Sequence, residues 1–271
     1  MTLHKHLLRG ALIGTGWFAS SVYADTNDNI VEQTVPSSAL STGAPHLTLG
    51  AGLANTTLYV GSNQRRDLFI PTLQSTWGNG WFAGFPRGIG YNFSDDPRIE
   101  YGLRVTADMG RKQSASAALK GLGTIGIRPE LGEFLSYSLT ERLKLNTSIR
   151  YGSGNDSQGA LLDMGFRYLR PLNENQFLTF GIVTTYANSN YMQSYFGVNA
   201  AQAATSKYAL YTPGAGIREV DLTVSHTYKF DRNWAMVTGV DLGRLGSAVT
   251  SAPMTTSNSH DSVYAQSNYT F

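Results

Sequence analysis

The chain has 271 residues, no cysteine and 29 glycines, with 21 basic against 19 acidic residues. Without cysteine, disulfides and thiolate metal sites are excluded. The near balance of charge argues against a nucleic-acid partner, which requires a basic surface.

The first predicted element is an export signal. Lys5 and Arg9 form a basic start, an apolar stretch runs from Ala11 to Phe18, and Val22-Tyr23-Ala24 has the small-x-small form of a cleavage site. A short N-terminal anchor is the other reading, but the stretch falls below the roughly 20 apolar residues a spanning helix needs. Cleavage near Ala24 removes Lys5 and Arg9 and no acid, so residues 25–271 carry 19 basic and 19 acidic groups and are formally neutral. Residues 25–45 are polar and rich in Ser, Thr, Pro and Gly, as in a flexible periplasmic tail.

From residue 46 onward the hydrophobic period is two, the signature of strands. Ile99, Tyr101, Leu103, Val105 and Ala107 alternate with Glu100, Gly102, Arg104, Thr106 and Asp108. Leu143, Leu145, Thr147, Ile149 and Tyr151 alternate with Lys144, Asn146, Ser148 and Arg150, and Val220, Leu222, Val224 and Tyr228 alternate with Asp221, Thr223, Ser225, Thr227 and Lys229. A soluble sandwich turns its apolar face inward; a membrane barrel turns it toward lipid. The strands reach membrane-spanning length, about 10–13 residues. Aromatics sit near their ends, and full charges lie on the polar face, where a packed soluble core would reject them. All three features favour a transmembrane antiparallel up-and-down β-barrel.

Strands are predicted near 46–56, 67–77, 79–85, 88–94, 98–108, 128–139, 142–151, 159–170, 175–187, 216–230, 233–244 and 261–271. That gives twelve. If 79–94 is one bent strand around Gly84-Phe85-Pro86, the number is ten, since such barrels are even. Short turns at 94–97, 140–141, 171–174 and 231–232 alternate with long connections at 110–127, 152–158, 188–215 and 245–260, which places the short turns and both termini in the periplasm. The chain ends on an aromatic, Phe271, after an alternating strand, like the signal read by the barrel-assembly machinery.

The lumen-facing charges predicted from this alternation are Arg98, Glu100, Arg104, Asp108, Glu130, Arg142, Lys144, Arg150, Asp163, Arg167, Asp221, Lys229 and Asp241. Both signs are mixed, so cross-lumen ion pairs are expected, either as a charge-filled plug or around a narrow selective pore. In the long loop, Asn199 is a predicted N-cap for a short helix near 199–206, and Gly214 and Gly216 suit a sharp return into the next strand. Its aromatics either pack the loop onto the barrel or form a contact or gating surface.

No catalytic constellation emerges. Ser225 and His226 are adjacent and so face opposite sides of a strand. Asp95-Asp96 before Pro97 suit turn geometry rather than a carboxylate dyad. His46, His226 and His260 show no metal-ligand spacing, and Gly121-Leu122-Gly123 lacks the helix a phosphate cradle needs. No cofactor is expected.

Several stretches resemble the MipA/OmpV family of outer-membrane proteins, also called MltA-interacting protein. The clearest runs from Tyr195-Phe196-Gly197-Val198 through the Ala-rich turn with Gln202 to Tyr211-Thr212-Pro213-Gly214-Ala215-Gly216. Tyr59-Val60-Gly61-Ser62, Gly88-Ile89-Gly90-Tyr91 and Gly121-Leu122-Gly123-Thr124-Ile125 also match, while Asn63-Gln64 stand where members often carry an acid. The resemblance implies residence in a Gram-negative outer membrane, in contact with its lipid and lipopolysaccharide. It also implies a non-enzymatic scaffold role that brings a murein lytic transglycosylase together with a peptidoglycan synthase. Porin-like and adhesin or antigen roles are the alternatives within the same family. Geometry puts such partners at the short turns, where Asp95, Asp96, Glu141, Glu174, Asp231 and Arg232 are the candidate contacts.

Overall fold

The computed structural model describes residues 46–271; the predicted signal and tail lie outside the described residues. Twelve antiparallel strands close into one barrel, each paired with its chain neighbours and the last with the first. They are β1 His46–Thr57, β2 Arg65–Thr76, β3 Trp81–Phe85, β4 Gly88–Asn92, β5 Ile99–Asp108, β6 Arg128–Ser138, β7 Leu143–Ser153, β8 Gly159–Pro171, β9 Gln176–Ala187, β10 Gly216–Lys229, β11 Trp234–Leu245 and β12 Ser259–Thr270. Residues 79–94 are therefore a hairpin, not one bent strand. Phe85 and Gly88 flank its two-residue turn, and Gly88 takes φ +87°, a left-handed conformation that glycine adopts without strain.

Period-two patterning decides which way each strand faces. Leu53, Phe69, Leu103, Leu131, Met164, Phe166, Ile182, Leu222, Val240 and Val263 are all exposed on the outer wall, Leu53 to 65%. A soluble protein would bury these residues; here they form the lipid-facing belt. Aromatics gather at the short-turn end of the wall. Trp81 meets Tyr91 edge-on at 5.4 Å, Tyr228 meets Phe230 at 5.0 Å, and Trp234, Tyr269 and Phe271 form a chain with centroid distances of 5.0 and 4.7 Å. The terminal Phe271 thus belongs to the interfacial girdle, and its backbone N–H donates to the Leu47 carbonyl at 2.9 Å beside the closing β1–β12 seam.

The inward face is packed along β12 and only partly buried on the side of β6, β7 and β8. Along β12, His260, Ser262, Tyr264, Gln266 and Asn268 are all buried, from the long-loop end to near the short turns. The lumen is not polar throughout. Ala54, Leu68, Ile70, Val237 and Tyr264, from β1, β2, β11 and β12, make an apolar cluster inside it.

Five connections, 58–64, 109–127, 154–158, 188–215 and 246–258, fold over one mouth. They carry α1 Ser189–Phe196, α2 Ala200–Thr205 and α3 Ser247–Thr250. Tyr59, Val60, Leu119, Leu122, Ile125, Tyr191, Met192, Tyr195, Phe196, Val198, Val249 and Met254 form a second core there, resting on the inward Leu161 and Ala187 of the wall. The loops therefore make a lid with a dry interior of its own.

Candidate functional site: the lid and the charged lumen beneath it

The lid is built from the long-loop residues singled out in the sequence. Asn199 caps α2 by accepting from the Gln202 N–H at 2.9 Å, and the Gln202 side chain accepts from the Asn199 N–H at 2.9 Å. This reciprocal box sits at the predicted helix start. Gln202 Nε2 then donates to the Leu122 carbonyl at 2.6 Å, which joins two loops. Tyr195 and Phe196 are buried, and Tyr195 stacks on Tyr191 at 4.6 Å. Tyr211 pairs with Val198 and donates its hydroxyl to the Ala248 carbonyl at 2.7 Å. Pro213 is buried. Gly197 ends α1 where a Cβ would lie 2.6 Å from the Gln193 carbonyl oxygen. Gly214 and Gly216 flank a bend at Ala215 that leads into β10; neither takes a positive φ and neither is crowded.

Of the predicted lumen charges, Asp108 holds the lid to the wall. Its carboxylate accepts from the N–H groups of Gly110 and Gly154, both at 2.9 Å, and from the Tyr195 hydroxyl. Glu130, 1% exposed, lies 3.5 Å from Arg150 and accepts from Thr106 Oγ1 at 3.1 Å. Arg150 also donates to Asp163 at 3.1 Å, and Asp163 accepts from Thr185 at 2.8 Å. Arg104 donates to Ser148 at 2.9 Å. Nearer the short turns, Glu100 lies 3.9 Å from Lys144 and 3.7 Å from Arg87, whose guanidinium covers the Phe82 ring at 4.0 Å. Arg167 is inward and half-buried, and Lys229 lies over the Phe177 ring at 4.9 Å.

Two predicted lumen residues lie elsewhere. Arg98 and Arg142 are exposed on the short-turn rim, because β5 and β7 begin one residue later than expected, at Ile99 and Leu143. The Arg98 guanidinium turns back onto Asp96 at 3.0 Å. That pair holds the Asp96 carboxyl below its ordinary value, chiefly through the hydrogen bonds from Arg98. Asp95, Asp96, Glu141, Glu174, Asp231 and Arg232 are all exposed on this rim.

The opposite side of the lumen holds a group that the sequence reading did not assemble. Asp221 and Asp241, both predicted inward, lie on β10 and β11; Asp241 accepts from Thr223 at 3.0 Å. Beside them are Arg218, Glu219 and His260. Arg218 Nη2 donates to Glu219, and His260 Nε2 lies 2.9 Å from Asp221 Oδ1 and 3.3 Å from Glu219 Oε2. The legible signal was Glu219 and Asp221 two apart on one strand face. His260 was missed because β12 begins at Ser259, two residues before the predicted start.

A family model described as MltA-interacting protein MipA matches residues 49–271. The chain belongs to the MipA family. Its fold is similar to several solved outer-membrane barrels. The CymD monoaromatic hydrocarbon channel is 12% identical, with 88% of this chain and 91% of that one covered, at a TM-score of 0.44. For the NanC porin the values are 10%, 82%, 98% and 0.44, and for the Pseudomonas putida toluene transporter TodX they are 10%, 92%, 95% and 0.40. No curated protein sequence matches the chain.

Proposed function

We propose that this MipA-family barrel acts by binding rather than by catalysis. In this reading it is an outer-membrane anchor that presents its periplasmic rim to a cell-wall enzyme. The observation that carries this reading is the burial around the mouth: inward side chains are buried along β12 from His260 to Asn268, and the lid's apolar core lies above them. Such burial favours a rigid platform over an open pore. The surface left for a partner is the rim, where Asp95, Asp96, Glu141, Glu174 and Asp231 stand exposed among Arg98, Arg142 and Arg232. That rim suits a partner with a basic face, since complementary charge steers encounter and sets register. The family description, MltA-interacting protein, points to a murein lytic transglycosylase as the partner to test; a peptidoglycan synthase as a further member of the assembly is what the resemblance implies.

The test uses the detergent-folded barrel immobilised on a sensor surface and a purified murein lytic transglycosylase. Binding is expected to weaken with salt and to fall when Asp95, Asp96, Glu141 and Asp231 are changed together to lysine. Absence of binding, or equal binding by the charge-reversed barrel, overturns the proposal. Steady stepwise conductance of the wild-type barrel in a planar bilayer would overturn the sealed-platform reading in favour of a channel.

A further inference from the structure

The geometry points to a divalent transition-metal site inside the barrel wall, with Glu219, Asp221 and His260 as ligands and Zn²⁺ as the ion that best suits them. One ligand atom from each residue lies within 4.8 Å of the other two, and all three residues are buried, both carboxylates to 0% exposure. Coordination at about 2.0–2.2 Å in a tetrahedron separates neighbouring ligand atoms by about 3.3 Å. The observed 2.9 Å from His260 Nε2 to Asp221 Oδ1 and 3.3 Å to Glu219 Oε2 are close to that spacing. An imidazole with two carboxylates is a borderline donor set, suited to zinc and its neighbours rather than to calcium or copper(I).

Glu219 supplies the second, independent observation. Its Oε1 accepts from Arg218, while its Oε2 is buried, accepts no hydrogen bond and faces the imidazole. A buried carboxylate oxygen left without a donor is costly. A cation at this point would satisfy it, and would also offset the charge of three carboxylates, Glu219, Asp221 and Asp241, gathered around Arg218 and His260.

The wall is shaped for the arrangement. His260 and Asp221 lie on strands separated by β11, and both register with Gly243 on the strand between them. Any side chain at 243 would put its first carbon 2.0 Å from His260 Nε2. Glycine there lets the imidazole lie across β11 and reach β10. An ion held this way staples β10 to β12 across the intervening strand. It also reaches the lid, because Arg218, bound to Glu219, donates its Nη1 to the Tyr191 hydroxyl in α1 at 2.7 Å. Metal occupancy would therefore firm the lid as well as the wall.

The experiment strips the detergent-folded full-length barrel with a chelator and titrates it with Zn²⁺ alone, with bound metal counted by mass spectrometry. One zinc per chain is expected. His260→Asn and Glu219→Gln should each weaken binding by more than the roughly 10–100-fold that loss of a merely supporting partner brings. His226→Ala, an outward histidine hydrogen-bonded to Gln176, should bind as wild type does. Zinc should also slow amide exchange in α1 of the wild type. A second measurement needs no variant: Co²⁺ in the wild-type barrel should give the intense visible absorption of a four-coordinate site. Failure to take up zinc stoichiometrically, equal binding by both ligand variants, or only the pale spectrum of six-coordinate surface cobalt overturns the proposal.

Discussion

Asp108 gives the sharpest test of how the lid is held. One carboxylate at the end of β5 accepts from Gly110, Gly154 and Tyr195, and so ties the loop after β5, the loop after β7 and α1 to a single point. Hydrogen bonds to a charged acceptor contribute about 1.5–3 kcal/mol each. Gly110, Gly154 and Tyr195 are all buried in the docked lid, but their three bonds share one carboxylate and do not add in full. Asp108→Ala should therefore cost the docked lid about 3–5 kcal/mol in total. At about 1.4 kcal/mol per factor of ten, the lid should open roughly 100–4,000 times more often. Hydrogen exchange followed by mass spectrometry reads this directly. Peptides covering α1 and α2 should exchange faster by that factor in the variant, while those from β10 and β11 keep their protection. Asp108→Asn, which retains one acceptor oxygen, should fall between. Lid peptides in Asp108→Ala that exchange at the wild-type rate would refute the reasoning, because the anchor would then be redundant.

Three further outcomes follow from the lumen, the belt and the rim. Arg150→Ala leaves Glu130 and Asp163 facing each other without their shared guanidinium, and should lower unfolding stability in urea by about 3–5 kcal/mol. Replacing all three residues with apolar ones of similar volume should recover much of it, since the pair's desolvation cost disappears with its charge. Leu222→Arg puts a charge halfway along an exposed lipid-facing strand, and should cost about 2–4 kcal/mol in folding into bilayers. Asp231 accepts from the N–H groups of Trp234 and Asn233, which hold its carboxyl below the ordinary value. Its folded pKa is thus depressed, so its support of the turn is present above the unfolded value of 3.8 and is lost as pH falls through the folded one. The Trp234 amide resonance should titrate with a midpoint below 3.8, and Asp231→Asn should abolish that titration.

The barrel was legible because a two-residue period is unambiguous over strands this long, and because the turns between β6 and β7, β8 and β9, and β10 and β11 are too short for anything but hairpins. The capping box at Asn199 and Gln202 was equally local and equally readable. What escaped depended on register between distant segments. His260 meets Asp221 only because two hairpins fix β10, β11 and β12 relative to one another, and because Gly243 leaves room between them. A lone histidine 39 residues from its carboxylate carries no spacing signal. The apolar cluster of Ala54, Leu68, Ile70, Val237 and Tyr264 escaped for a related reason: each residue reads as one irregularity in its strand, and they form a patch only when β1, β2, β11 and β12 stand side by side. Arg98 and Arg142 show the ordinary limit at strand ends, where a shift of one residue moves a charge from lumen to rim.

The short hairpin of β3 and β4 has a consequence for how the cylinder fails. The seams β2–β3, β3–β4 and β4–β5 are held by four residue pairs each, whereas every other seam has at least eight. A closed ring gives way at its weakest join, and here three weak joins stand side by side. Under denaturant or mechanical load the cylinder should tear along this line first and open into a broad curved sheet, with the strands from β5 round to β2 still zipped together.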